Sequence, residues 1–201
     1  MMILRSSPTS PFGRKVKIAA HHLGLIDRIT ITVADTSDPG DTLRTQNPLG
    51  KIPALILADG TALYDSRVIL DYLDMLAGGG RIVPVGLARF PALVRQALAD
   101  GVMDAGLLRV YEVRFRPEES RVQAWTDHQA GKMERSLAVL ERDIGAFDPA
   151  LDVGSIALAC ALGYLDLRFA GAWRSTHPRL VEWLEGFAAA VPSFDLTRPP
   201  A

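Results

Sequence analysis

The chain has a single cysteine, Cys160, in 201 residues, so no internal disulfide can form and no network of cross-links stands in for a core. It has no surplus of either charge: 22 Lys and Arg oppose 23 Asp and Glu, for a formal net charge of −1. That balance removes the electrostatic reason to expect nucleic acid or a membrane surface as partner. No apolar run approaches the ~20 residues of a membrane span. The start of the chain lacks a basic region followed by a long apolar one, so no signal peptide is expected. Internal repeats and low-complexity tracts are missing too. What is present is 48% hydrophobic and 22% charged residues, the composition of a globular protein with a real core. The expected setting is a reducing cytoplasm.

Ile3-Leu4 leads a short strand over residues 2–6. From Pro11 to Leu23, apolar Phe12, Val16, Ala19, Ala20 and Leu23 recur at helical spacing, and Gly24 supplies a stop. Ile29-Thr30-Ile31-Thr32-Val33 is β-branched throughout and reads as a strand. A strand–helix–strand run of this length implies a right-handed crossover and parallel strands. Residues 35–47 turn polar around Pro39-Gly40 and are expected to form a loop with at most a ragged helix. Ala54-Leu55-Ile56-Leu57, the Asp59-Gly60 turn and Thr61-Ala62-Leu63-Tyr64 read as a hairpin. Asp65-Ser66 starts a helix with Val68, Ile69, Tyr72, Leu73 and Leu76 on one face, and Gly78-Gly79-Gly80 ends it.

Beyond Leu87 everything reads helical: 88–115, 118–147, 152–170 and 178–191, separated at Pro117, Asp148-Pro149 and His177-Pro178. The tail from Thr197 to Ala201 reads as extended. The expected fold is therefore an α/β N-terminal domain in β-α-β-β-β-α order, with an irregular segment before the third strand, followed by an all-α C-terminal domain. The triple glycine sets the boundary, giving domains at 1–78 and 88–201 with a linker at 79–87.

Three features place chemistry at strand ends. Ser10 stands where the first helix needs an N-cap, with Pro11 at the first helical position. Its hydroxyl lies beside unpaired N–H groups and the positive end of a helix dipole, which favours an anion, a thiolate included. Dithiol redox proteins carry C-x-x-C at such a junction. Here Ser10 and Gly13 hold the two cysteine positions, so the protein has no thiolate there for disulfide exchange. Ser10 either caps its helix and no more, or donates a hydrogen bond to a thiolate that a ligand brings. The Ile52–Pro53 bond before a strand fits a cis or a trans peptide. The cis form leaves the N–H and C=O of Ile52 open to a peptide-like ligand. Asp65-Ser66 is either a capping pair or a site where Ser66 and helix N–H groups take a carboxylate and Asp65 takes an ammonium. A γ-glutamyl group carries both on one carbon.

Ser7-Pro8-Thr9-Ser10-Pro11-Phe12 with Arg14-Lys15-Val16, then Asn47-Pro48-Leu49-Gly50-Lys51-Ile52-Pro53-Ala54-Leu55, then Tyr64-Asp65-Ser66, together resemble the glutathione S-transferase superfamily. Within it the chain is most similar to a group of bacterial GST-like proteins with a serine at the thiol site, and that similarity extends to residues 97–107 and 156–165. The resemblance implies a thioredoxin-like N-terminal domain, a helical second domain, glutathione as cosubstrate without a metal, and activation of its thiol against a small apolar electrophile. It implies Ser10 as the catalytic hydroxyl facing the sulfur, Ile52 before Pro53 on the cysteinyl backbone, Asp65 and Ser66 on the γ-glutamyl end, and Lys51 at the glycyl carboxylate. It also implies a homodimer, with the helical domain forming the second-substrate pocket and part of the interface. The same scaffold also serves glutathione-binding or stress-related interaction proteins with little transferase activity, and other glutathione-dependent isomerases, dehalogenases or peroxidases.

No cysteine or tyrosine stands at the Ser10 junction, so cysteine-type thiol transfer is not expected; Ser7 and Thr9 are the other hydroxyls within reach. Asp152-Val153-Gly154-Ser155 inverts the family's Ser/Thr-x-x-Asp helix start. Asp152 remains a good N-cap and Ser155 offers a short reciprocal arm. His21 and His22 diverge by about 100° on a helix and cannot share a metal, and His128 and His177 have no partner at ligand spacing. Cys160, among alanines and leucines, reads as buried. Tyr111, Phe115 and Trp125 read as core by their helical spacing, with an apolar pocket lining as the alternative.

Overall fold

Residues 1–147 and 150–200 are described in the computed structural model; the expected break at Asp148-Pro149 and the last residue of the expected tail lie outside them. β1 (Met2–Ser6) pairs in parallel with β2 (Ile29–Val33) and antiparallel with β3 (Ala54–Ile56), which pairs antiparallel with β4 (Ala62–Leu63). The sheet order is β2-β1-β3-β4. Helix α1 (Pro11–His22) joins the parallel pair, the polar stretch after β2 holds the single turn α2 (Leu43–Gln46), and α3 (Ser66–Leu76) follows the hairpin. The expected β-α-β-β-β-α order is the observed one.

On the sheet face under α1 and α3, Leu4, Val16, Ile18, Leu55, Ile69, Leu70 and Leu73 are fully buried. The other face carries a smaller cluster of Ala34, Leu43 and Ala54, flanked by Ile52, Ile56 and Tyr64. Arg5 fastens α2 over it. Its Nη1 donates to Thr42 Oγ1 and Gln46 Oε1, each at 2.8 Å, and its Nη2 pairs with Asp41 Oδ1 at 2.6 Å. The backbone N–H groups of Leu43 and Asp35, with the Arg5 guanidinium, hold the Asp41 carboxyl below its ordinary value.

The buried stripe of α3 is Ser66, Ile69, Leu70, Leu73 and Asp74. This corrects the expected face: Val68 is exposed, as is Met75, on the solvent stripe. Asp74 belongs inside because its carboxylate accepts the backbone N–H groups of Gly80 (2.7 Å), Arg81 (2.9 Å) and Ile82 (2.7 Å). The chain can fold back onto it because Gly78, Gly79 and Gly80 take φ of 105°, 78° and 73°, which residues with a Cβ rarely adopt.

The chain divides into two units, Met1–Ala92 with Val191–Ala201, and Leu93–Ala190. The second is made of most of α4 (Arg89–Phe115), with α5 (Gln123–Asp143), α6 (Val153–Phe169) and α7 (Pro178–Ala190). Every residue of α6 from Val153 to Leu162, Cys160 among them, is buried, as an apolar central helix requires. The inverted capping box forms in full: Ser155 N–H donates to Asp152 Oδ1 at 2.8 Å and Asp152 N–H to Ser155 Oγ at 2.9 Å. Asp152 also pairs with buried Arg95, whose guanidinium lies 4.5 Å from the Phe147 ring centre.

The expected helix over 118–147 is interrupted. One 3-10 turn, Glu118–Ser120, precedes a break, and α5 begins at Gln123, its preceding Val122 N–H held by the Glu112 carboxylate at 2.9 Å. Phe115 and Trp125 are 58% and 42% exposed, so neither is core; Tyr111 is half-buried, edge-on to Phe115 at 5.0 Å. No helix among the described residues is long and apolar enough to cross a membrane.

The tail is not extended at Thr197. α8 (Ser193–Leu196) ends there, with Thr197 Oγ1 donating to Ser193 O at 2.7 Å. Arg14 of α1 donates from Nη2 to Phe194 O at 2.6 Å and lies over the Phe194 ring at 4.0 Å. These contacts tie residues from 191 onward to the sheet unit, where the sequence reading groups them with the helical domain.

The turn from β1 into α1 leaves no room for a side chain at Gly13. A Cβ on Gly13 would stand 2.0 Å from Ser6 Oγ and 3.2 Å from Ser6 Cβ. Gly13→Ala gains about 1 kcal/mol of helix propensity but overpacks a site where such crowding costs about 1–3 kcal/mol. The expected outcome in urea denaturation is a net loss of about 1 kcal/mol in the native background. With Ser6→Ala the hydroxyl is gone and the remaining 3.2 Å approach to the Cβ at position 6 offsets the propensity gain, leaving the change close to neutral. Asp74→Ala strands three N–H groups around the glycine turn, and the same measurement should show a loss of about 2–4 kcal/mol.

Candidate functional site

Ser10 is the N-cap of α1, with extended φ, ψ of −74° and 117°. Its Oγ accepts the N–H of Gly13 at 3.1 Å, and this bond is buried. The backbone reaches it through a turn in which Ser10 N–H donates to Ser7 O at 3.3 Å. Capping uses a lone pair of the hydroxyl oxygen, so the O–H proton stays available to donate. An anion placed there meets a hydroxyl donor and the positive end of a 12-residue helix. Ser7 and Thr9 are half-buried beside it, but only Ser10 caps the helix.

The Ile52–Pro53 peptide is cis, one of the two forms open to the sequence reading. Asn47 holds the turn that leads into it. Its Nδ2 donates to Lys51 O at 2.8 Å, its Oδ1 accepts the N–H of Leu49 at 3.1 Å, and its own carbonyl accepts that of Gly50 at 2.8 Å. Gly50 takes a φ of 61° to close the turn. The β1–β3 register ends at Arg5 with Ala54, so Ile52 lies beyond the ladder, half-buried, with the exposed Lys51 before it. The sequence reading gives Asn47 no role, although an Asn before Pro-x-Gly is a recognised turn signal.

Asp65 caps α3, its Oδ1 accepting the N–H of Arg67 at 2.9 Å, and its Oδ2 pairs with Arg67 Nη2 at 2.9 Å. The Tyr64–Asp65 peptide is also cis. Burial pushes the Asp65 carboxyl up, but the side chain and backbone N–H of Arg67, with the charges of Arg67 and Lys15, bring it below its ordinary value. Ser66, at the first position of the helix, is buried and accepts a hydrogen bond from Lys15 Nζ at 3.1 Å. Nothing local in the sequence announces that pairing, because its partners lie on different helices.

The register brings these features to one end of the sheet. β1 leaves toward Ser10 where β3 enters from Pro53, since the two strands are antiparallel and Arg5 faces Ala54. β4 leaves toward Asp65 at that same end, with Leu63 opposite Leu55. Ser10, Ile52-Pro53 and Asp65-Ser66 thus share one end of the sheet: a hydroxyl at a helix start, an open stretch of backbone and a second helix start with a carboxylate. A thiol-containing peptide carrying both an ammonium and a carboxylate matches that sequence of groups. Among the described residues no three His, Cys, Asp or Glu side chains come together to hold a metal ion.

Comparison with known proteins gives the arrangement a family. Residues 9–76 match the family model described as Glutathione S-transferase, N-terminal domain, and residues 123–186 match Glutathione S-transferase, C-terminal domain. The chain is 36% identical over 208 residues to the Uncharacterized GST-like protein YibF of Escherichia coli (strain K12), with 99% of each covered. A glutathione transferase family member from Pseudomonas fluorescens Pf-5, solved with bound glutathione, superposes with a TM-score of 0.91 at 41% identity, all of both chains being covered. A glutathione S-transferase from Methylobacillus flagellatus KT, also solved with glutathione, does so with a TM-score of 0.92 at 35% identity and the same full coverage. With this similarity running its whole length, the chain belongs to the glutathione S-transferase family.

Proposed function

We propose that the protein is a glutathione transferase that binds glutathione along the shared ends of β1, β3 and β4 and activates its thiol for attack on a small apolar electrophile, as a cytoplasmic homodimer. The observation that carries the reading is Ser10: a buried N-cap hydroxyl whose oxygen is occupied by Gly13 N–H and whose proton is available to a sulfur. It stands at the sheet end that also holds the cis Ile52–Pro53 peptide and Asp65-Ser66. Family relatives hold glutathione, and a Pseudomonas fluorescens Pf-5 family member holds S-(propanoic acid)-glutathione.

The roles follow from the groups. Ile52 offers N–H and C=O to the cysteinyl backbone beside cis Pro53. Asp65 takes the γ-glutamyl ammonium, Ser66 and the start of α3 take its carboxylate, and exposed Lys51 takes the glycyl carboxylate. Ser10 donates to the thiolate. A free thiol, with pKa near 8.5, is only about 3% ionised at pH 7. A hydroxyl donor with a helix dipole contributes roughly 1–3 kcal/mol, enough to lower that pKa by about one to two units. The thiolate fraction then rises by tens-fold at most, and the rest of the acceleration comes from holding sulfur and electrophile together.

Ser10→Ala should lower turnover on an activated aryl halide at least about tenfold at pH 7 and move the rising limb of kcat/KM to higher pH by about one to two units. The glutathione dissociation constant should change by less than about threefold, because the other contacts remain. Loss of the cap also costs about 0.5–2 kcal/mol of stability, whereas Ser10→Gly costs only a few tenths. Ser10→Gly should therefore be as inactive as Ser10→Ala while melting close to the native protein. Full activity in either variant would remove Ser10 as the catalytic hydroxyl.

A further inference from the structure

We infer that Lys15, buried beneath the start of α3, is a positioning residue that fixes the polarity of the Ser66 hydroxyl and makes this end of the site selective for a carboxylate. The inference rests on the proposed glutathione site and says how its γ-glutamyl end is recognised.

Lys15 is 0% exposed, the largest of the fully buried side chains by volume, and Nζ donates to Ser66 Oγ at 3.1 Å. An ammonium has three donors and no acceptor. Ser66 Oγ is therefore the acceptor in that bond, and the hydroxyl's one proton must point elsewhere, toward an acceptor outside the pair. A serine that is only an N1 residue has no such bias. The face of the Phe12 ring lies 6.0 Å from Nζ, a cation–π distance that suits a charge kept in place. A methionine would fill similar volume without desolvating an ammonium, so packing alone does not call for lysine there.

The local charges point to the same ligand. Lys15 and Arg67 are cations and Asp65 is the carboxylate between their influence. The helix start adds partial positive charge. A ligand ammonium uses the exposed Asp65; the buried cation and the donor-oriented Ser66 then face the ligand carboxylate. Removing the positive charge behind Ser66 should weaken recognition of that carboxylate and of nothing else in the ligand.

The test uses titration calorimetry of the full chain with two probes, glutathione and the analogue in which γ-aminobutyryl replaces γ-glutamyl, which keeps the ammonium and lacks the carboxylate. The native protein should prefer glutathione by about 10- to 100-fold, the worth of a charge-assisted hydrogen bond. Lys15→Met should reduce the preference by about tenfold, leave affinity for the analogue within about threefold, and raise KM for glutathione more than it lowers kcat. Equal weakening toward both probes, or a fall confined to kcat, would overturn the inference and leave Lys15 a structural residue. Should Lys15→Met not fold, Lys15→Gln decides: its neutral amide can accept as well as donate, so the Ser66 hydroxyl loses its fixed polarity and the preference for glutathione should fall several-fold, whereas an unchanged preference would overturn the inference. Failure of the native protein to bind either probe would instead defeat the glutathione reading itself.

Discussion

The hydrogen bond from Gly13 N–H to Ser10 Oγ is the constraint on which the site depends. It sets where α1 starts, and the start of α1 sets where its positive end points. The donor of that bond is also where the first turn of α1 closely approaches the end of β1, since a Cβ at position 13 would meet Ser6 Oγ at 2.0 Å. A dithiol motif would need a side chain at that position, in space that Ser6 now fills. Cap geometry, the glycine and the absence of a redox pair are thus one fact seen three ways.

The two residues after Gly13 carry that arrangement into the rest of the sheet unit. Arg14 turns to the chain's end, where it holds Phe194 through its carbonyl and its ring. Lys15 turns to α3, where it holds Ser66. Both are basic and both are buried, an expensive choice for a core helix unless each charge has a partner. Adjacent helical positions diverge by about 100°, so one dipeptide braces two different neighbours of α1. The helix that presents the Ser10 hydroxyl is fixed by polar contacts on two sides as well as by its apolar face.

What could be read in the sequence is what is settled within a few residues. The caps at Ser10, Asp65 and Asp152 have partners two or three positions away, so residue type and spacing are enough to expect them. The cis Ile52–Pro53 bond was legible only as one of two options, since the isomer depends on the fold around it. The long-range pairs were not legible: Arg14 with Phe194 spans 180 positions, Arg95 with Asp152 spans 57, Lys15 with Ser66 spans 51 and Arg5 with Asp41 spans 36. Periodicity also gives a stripe without saying which way it faces. In α3 the true buried stripe is turned by roughly 100° from the one that counts apolar residues alone, because Asp74 goes inside to hold three N–H groups. Phe115 and Trp125 sit at helical spacing and face outward for the same reason: spacing carries no record of the neighbour.

This bears on how a site can be built without a reactive side chain of its own. In the proposed site Ser10 would contribute a single neutral donor, worth about tens-fold in thiolate at most. A modest contribution of that kind is useful only if the sulfur is delivered to it repeatedly at the same place, and delivery falls to the far end of the ligand. The grip on the γ-glutamyl group by Asp65, Ser66 and the charge behind them would therefore matter to the chemistry although it lies a peptide's length from the reacting atom, since binding energy won there holds the thiol against the helix start. On the proposed reading selectivity and catalysis would share one scaffold: α1 carries Ser10 at its N-cap and Lys15 about a turn later, so the residue proposed to receive the sulfur and the residue proposed to tune its distant anchor are held by one helix.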